Sequence, residues 1–218
     1  MKRELIPVIL AKNFSDFKER LTTIKTFKPK PLWIQIDVVD GKFAPWKTWA
    51  DPEIAKHELR GMNYEVDLMV VDPLKHAKAW MRAGAKRILF HIEHNVKDQP
   101  STVIACVKKN GAEVGASLNA RTSLRNLFPY LASLDCVLLL GVNPGRSGQP
   151  FQPSVLKKIR TLRKKFPHLP IEVDGGVSLK NAQAILRAGA TRLATASALH
   201  KAANPQQTYK NFLKVIKK

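Results

Sequence analysis

The chain is short of cysteine, of acidic residues and of long apolar runs, and each shortage excludes something. There are only two cysteines, Cys106 and Cys136, in no CxxC or other metal-ligand spacing. That argues against a zinc module or a disulfide framework, and both read as buried, reduced thiols. No apolar run is long enough to span a bilayer, so no membrane partner is expected. The opening stretch, MKRELIPVIL, has five apolar residues after Glu4, interrupted by Pro7, too few for a signal-peptide core, and a cytoplasmic location is the expectation. No nucleic-acid motif occurs, and aromatic residues do not interleave with the basic ones as single-strand binders require.

The shortage of acid leaves 17 Asp+Glu against 37 Lys+Arg, a formal charge of +20. Such a field suits nucleic acid or an anionic small molecule. The densest basic patch is residues 156–166, LKKIRTLRKKF. There Leu156, Ile159, Leu162 and Phe166 fall at helical spacing, which assigns Lys157, Lys158, Arg160, Arg163 and Lys164 to solvated faces. A nucleic-acid surface is therefore not expected.

What remains is ordinary globular material: 218 residues, 44% hydrophobic and 25% charged, read as one domain over 1–218. β-favouring runs recur at 5–10, 32–37, 64–70, 87–91, 113–118, 136–140, 171–174 and 191–195. Amphipathic stretches fit between them, at 14–27, 52–60, 73–83, 100–110, 123–131, 153–166, 179–188 and 205–216. Several open with proline in the first turn, and Asp51, Asp72 and Ser178 are candidate caps. The segment RAGAKRILF at 82–90 recurs as RAGATRLAT at 187–195, nearly half the chain later, with a looser version at 109–117. Each reads as a helix end, a left-handed glycine (Gly84, Gly189, Gly111) and a new strand. Eight alternating units predict a single (β/α)8 TIM barrel. The competing open sheet lacks a Gly-rich fingerprint after its first strand.

Barrel chemistry sits at the C-terminal strand ends. The second strand, in the stretch LWIQIDVVDG at 32–41, offers Gln35 and Asp37, with Asp40 beyond. The third offers Asp67 and Met69, the fourth His91 and Glu93, the fifth Ser117 and Asn119, the seventh Asp174. Alternate residues of a strand share a face, so Gln35 with Asp37 and Asp67 with Met69 point inward together. Asp37, Asp67 and Asp174 can then converge, and three converging carboxylates need a cation or protons. Gly145, Gly148, Gly175, Gly176, Ala196 and Ser197 are small residues whose backbone N–H groups can approach a phosphate, with Ser197 opening a short helix.

These pieces resemble the ribulose-phosphate 3-epimerase family nearly end to end. The matching stretches are PVIL at 7–10, DVVDGKFAP at 37–45, DLMV at 67–70, FHIE at 90–93, VNPG at 142–145 with Gly148, Gln149 and Phe151, VDGGV at 173–177 and ASA at 196–198. The resemblance implies a barrel of the ribulose-phosphate-binding type. It implies interconversion of D-ribulose 5-phosphate and D-xylulose 5-phosphate in the pentose phosphate pathway. The reaction would use two bases at C3, Asp37 and Asp174, through an enediolate whose charge a divalent metal stabilises.

The departures fall on the metal shell. Gln35 and Asp67 stand where the family has metal-binding histidines, and Val8 where it has serine. Val39 and Leu140 replace two methionines that cap the site, whereas Met69 remains. Arg146-Ser147 and Ala196-Ser197 also differ from the family pattern. The first reading is a working epimerase whose metal set is Gln35, Asp37, Asp67 and Asp174. An all-oxygen set suits Mg²⁺ or Mn²⁺, where imidazole suits zinc or iron. The second is an epimerase or isomerase of another ketose phosphate, with Arg146 adding a substrate contact. The third is a non-catalytic barrel that binds a sugar phosphate or nucleic acid. His91 and Glu93 are expected to support the site from behind. His57, His76, His94, His168 and His200 are expected at the surface or in loops. Symmetric assemblies are common in the family, which leaves a homo-oligomer open.

Overall fold

A computed structural model describes residues 2–93, 96–145 and 148–217. Its strands are β1 (Glu4–Ile9), β2 (Ile34–Val39), β3 (Tyr64–Met69), β4 (Arg87–His91), β5 (Glu113–Leu118), β6 (Cys136–Leu140), β7 (Ile171–Asp174) and β8 (Arg192–Thr195). They are parallel and close in chain order into a barrel, with β8 paired to β1 from Glu4 opposite Arg192 to Pro7 opposite Thr195. Around them lie α1 (Phe14–Thr26), α2 (Pro52–Glu58), α3 (Pro73–Ala83), α4 (Pro100–Lys109), α5 (Val155–Lys165), α6 (Ala182–Ala188), α7 (Ser197–His200) and α8 (Pro205–Lys217). Among the described residues no helix is long and apolar enough to cross a membrane.

Strand parity sorts the side chains into two environments. Ile34, Ile36, Val38, Val66, Leu68, Ile88, Phe90, Val114 and Leu118 point outward. They pack with Phe17, Leu21, Trp80, Val103, Ile159 and Phe212 of the helices into one continuous core. The alternate residues fill the barrel. Apolar packing there falls in small clusters, Leu89–Cys136–Leu138–Leu140, Ile6–Val8–Ala194 and, at the C-terminal mouth, Val39 and Met69 with Phe43 and Ala44. The rest of the lining is polar and buried: Gln35, Asp37, Glu65, Asp67, Arg87, His91, Ser117, Glu172 and Asp174.

Those polar residues form two poles. At the N-terminal end, cross-strand neighbours alternate in charge, Glu65 beside Arg87, Arg87 beside Glu113, and Arg192 beside both Glu172 and Glu4. Arg87 Nε donates to Glu113 at 2.6 Å, its Nη1 pairs with Glu65, and the guanidinium lies 4.0 Å from the ring centre of Trp33. Neither oxygen of Glu172 has a donor. Burial, reinforced by the neighbouring Glu65 charge, pushes Glu172 well above the usual carboxylate range. It is therefore a neutral acid that can donate to Glu65.

The repeated glycines behave as their sequence context requires. Gly84 (φ 103°) and Gly189 (φ 116°) end α3 and α6 in the left-handed region. In each the next residue's N–H returns to the last turn, Ala85 to Trp80 and Ala190 to Ile185. Asp51 and Asp72 cap α2 and α3.

Four expectations need correction. The helix expected over 123–131 is two separate 3₁₀ turns, Leu124–Asn126 and Leu131–Ser133. Pro129 removes an N–H and disfavours helical backbone at Phe128. Ser178 does not cap α6, which starts at Ala182; instead Asn181 accepts from the Ser178 N–H and donates to Gly176 O, closing a turn. Two of the basic residues on α5 are not solvated. Lys158 holds the carbonyls of Asn119 and Thr122, and Arg163 holds those of Gly189, Phe166 and Pro167. Cys136 is buried, but Cys106 is only partly so.

The charged floor separates two substitutions. Arg87→Met leaves Glu65 buried without its cation and lowers stability by about 3–5 kcal/mol. Glu172→Gln keeps shape and neutrality and changes it by less than about 1 kcal/mol. Urea unfolding of the two variants at pH 7 checks both values.

Candidate functional site

At the opposite pole, β2 and β3 carry Asp37 and Asp67 as direct cross-strand partners. β7 ends in Asp174, hydrogen-bonded in register with Leu140 of β6. One oxygen from each of the three carboxylates lies within 4.8 Å of the others, and all three residues are buried. Gln35, one inward position below Asp37, donates its Nε2 to Asp37 Oδ1 at 2.7 Å and to Asp174 Oδ2 at 2.8 Å. The four residues expected to form the metal set are thus brought together.

The backbone is held as firmly as the side chains. Thr48 Oγ1 accepts from the Val39 N–H and donates to the Asp37 carbonyl, which fixes the end of β2. Ser117 Oγ donates to Asp67 Oδ1 at 2.7 Å, and the Gly175 N–H donates to Asp174 Oδ1 at 2.6 Å. His91, fully buried, lies between Glu93 (Nδ1 to Oε2, 2.9 Å) and Asp67 (Nε2 to Oδ2, 3.8 Å). Glu93 is in turn held by the Asn119 N–H. Burial alone would lower the His91 pKa; Asp67 and Glu93 overcome it and hold the imidazole up at about 9, hence charged at neutral pH. His91 and Glu93 therefore stand behind the carboxylates. Thr48 carried no sequence signal, since it lies in a loop eleven residues beyond the aspartate it fixes.

Protons settle unequally on the two carboxylates that face the cleft. Burial, with the charges of Asp174 and Asp67, pushes Asp37 well above the usual range. Burial and Asp67 raise Asp174 too, but Gln35 and the Gly175 N–H limit it to about 6. The two carboxyls are thus raised unequally and share their protons as a pair. The donor chemistry also fits a cation. Gln35 Oε1 and Asp67 Oδ2 are buried acceptors without a hydrogen-bond donor, and every candidate ligand atom is oxygen. To serve as a ligand Gln35 must turn its amide over, because its nitrogen is what faces the carboxylates.

The cleft above holds about 480 Å³ of space, including what opens to solvent, and Asp37, Asp174, Met69, Gly145, Gly148, Gly175, Gly176, Ala196 and Ser197 line it together. The four glycines have φ between 69° and 104°. A Cβ on Gly175 would lie 2.5 Å from Val142 Cγ2, and one on Gly176 2.6 Å from the Phe151 nitrogen. The N–H groups of Gly176 and Ser197 have no acceptor among the described residues, so they remain available to an anion. The N–H of Gly175 does not, being engaged by Asp174. His200 is no loose surface residue, for its Nε2 lies 2.9 Å from the Val8 carbonyl and burial lowers its pKa to about 4. Arg146, Ser147 and His94 lie outside the described residues.

The profile of the Ribulose-phosphate 3 epimerase family matches residues 4–200. The chain belongs to that family. Among its relatives, the ribulose-phosphate 3-epimerase of Schizosaccharomyces pombe is 31% identical over 212 residues, covering 95% of this chain and 91% of that one. That of Synechocystis sp. is 36% identical over 203 residues, covering 91% and 87%. Solved structures at lower identity share the fold. KGPDC from Streptococcus mutans has a TM-score of 0.71 at 14% identity, over 100% of this chain and 98% of that one. The 3-hexulose-6-phosphate synthase of Salmonella typhimurium has a TM-score of 0.71 at 15% identity, over 98% of each chain.

The crowded carboxylates give the metal-free protein a defined pH response. Between pH 3.8, the ordinary Asp value, and about 6, folded Asp174 keeps a proton that the unfolded chain has released. Stability therefore falls as pH rises through that window. Asp37→Asn, which is neutral without taking up a proton on folding, stabilises the chelator-treated protein at pH 7 and flattens the slope. Urea midpoints between pH 4.5 and 7.5 test this, and a variant less stable than the parent at pH 7 contradicts it.

Proposed function

We propose that this chain epimerises D-ribulose 5-phosphate and D-xylulose 5-phosphate at C3, a step of the pentose phosphate pathway. The observation that carries the reading is the placement of Asp37 and Asp174, buried and bridged by the Gln35 amide, at the mouth of a glycine-lined cleft. Inverting one carbon needs a base on one face and an acid on the other, both present at once.

In this mechanism the backbone N–H groups of Gly176 and Ser197 bind the phosphate, assisted by the small residues Gly145, Gly148 and Ala196. Met69 packs beside the sugar and excludes water. Asp174, ionised and steadied by Gln35 and Gly175, takes the C3 proton. Asp37, protonated, returns one to the opposite face; the two exchange roles in the reverse direction. Before its amide turns over toward a cation, Gln35 keeps the two carboxyls in register. Gln35, Asp37, Asp67 and Asp174 would hold a divalent cation, which as a Lewis acid would stabilise the negative charge that develops on the substrate oxygens. The all-oxygen donors favour Mg²⁺ or Mn²⁺ over Zn²⁺ or Fe²⁺. The two unpaired thiols accord with a reducing compartment, and we assign the protein to the cytoplasm.

Removal of metal should abolish turnover, and Mg²⁺ or Mn²⁺ should restore it. Restoration by Zn²⁺ alone would overturn the assignment. Asp37→Asn and Asp174→Asn should each lower kcat by about 10²–10⁴ fold. NMR should record loss of the C3 proton to deuterium in the parent enzyme; no exchange with either ketose phosphate sinks the proposed reaction.

A further inference from the structure

The backbone N–H groups of Gly176 and Ser197 supply partial positive charge but no full counter-charge for a phosphate. One side chain near the cleft does. Lys201 follows α7, its N–H bonded to the Ser197 carbonyl at 3.0 Å, one helical turn beyond the residue that lines the cleft. From there its side chain reaches across to the loop after β6. Its Nζ lies 3.5 Å from where a Cβ on Gly148 would sit, and Gly148 lines the same cleft as Gly176 and Ser197. The ammonium has no carboxylate partner among the described residues, unlike Lys18 and Lys97, which pair with Glu58 and Asp72. An exposed lysine normally points into bulk water, where its charge is best hydrated. This one lies against a glycine wall with no Cβ in its way.

We propose that Lys201 is a phosphate-binding residue of the cleft, closing by charge the side that Gly148 leaves open. The role rests on the phosphorylated-substrate reading above. It is a binding role, not a proton-transfer one, because the residue sits at the glycine end of the cleft and not at the carboxylates. An ammonium at the rim also draws the dianion in from solution, so its contribution weakens with salt.

Calorimetric titration with inorganic phosphate and, separately, with D-ribose 5-phosphate tests the assignment. Lys201→Ala and Lys201→Gln should weaken both anions about five- to tenfold at low ionic strength, and less at high salt. Lys201→Arg should stay within about twofold of the parent. Lys210→Ala, which removes the same charge from the exposed surface of α8, should leave binding unchanged. In turnover, Lys201→Ala should raise KM and leave kcat near the parent value. Unchanged anion affinity in Lys201→Ala, an equal loss in Lys210→Ala, or no anion binding by the parent protein would each overturn the proposal. Anion binding that depends on Lys201 without any epimerisation would leave it standing and remove the proposed reaction instead.

Discussion

Three carboxylates buried within 4.8 Å of one another repel unless something offsets them, and much of the barrel interior is arranged around that repulsion. The Gln35 amide bridges two of them, Ser117 donates to the third, and the Gly175 N–H closes onto Asp174. Charged His91 stands behind Asp67, itself oriented by Glu93. These contacts do not neutralise the cluster. They leave the Asp37 carboxyl well above the usual range, that of Asp174 raised to about 6, and the acceptors Gln35 Oε1 and Asp67 Oδ2 unsatisfied. A structure that only had to be stable would replace such a cluster with apolar side chains. Its retention at the functional end of a barrel is the physical reason to read it as machinery.

The floor of the barrel solves the same problem differently. There Arg87 and Arg192 sit among Glu4, Glu65, Glu113 and Glu172, and the excess of acid is relieved by a proton on Glu172. The floor's charges pair with one another and serve as internal counter-ions. The two poles thus use one rule, that buried charge must be paired or protonated, for separate ends. Both keep buried polar atoms without a partner, and the carboxylate pole faces the glycine-lined cleft.

Much of this was legible in the sequence because it depends on period and position. Alternating strand and helix patterns, with the repeated RAGA segment, specify eight units; parity then places Gln35, Asp37, Asp67 and Asp174 on the inner face. The illegible parts depend on contacts between distant residues. Pro129 breaks a helix that propensity alone allows. Lys158 and Arg163 look like solvated charges until the loops whose carbonyls they hold are in place. Thr48 and Lys201 act through loop positions that no periodicity marks. The engagement of the Gly175 N–H by Asp174 is invisible to a reading that counts glycines as free donors. The family resemblance carried the assignment of chemistry, but its histidine pattern could not say how Gln35 and Asp67 would be oriented.

The central proposal is that Gln35, Asp37, Asp67 and Asp174 hold a divalent cation through oxygen alone, with the imidazole of His91 behind Asp67. Pulsed electron paramagnetic resonance of the Mn²⁺-loaded protein reads this directly. The oxygen shell predicts a bound Mn²⁺ spectrum without the strong ¹⁴N modulation of a coordinated histidine. A directly bound imidazole nitrogen, or failure to bind Mn²⁺ at all, would contradict it.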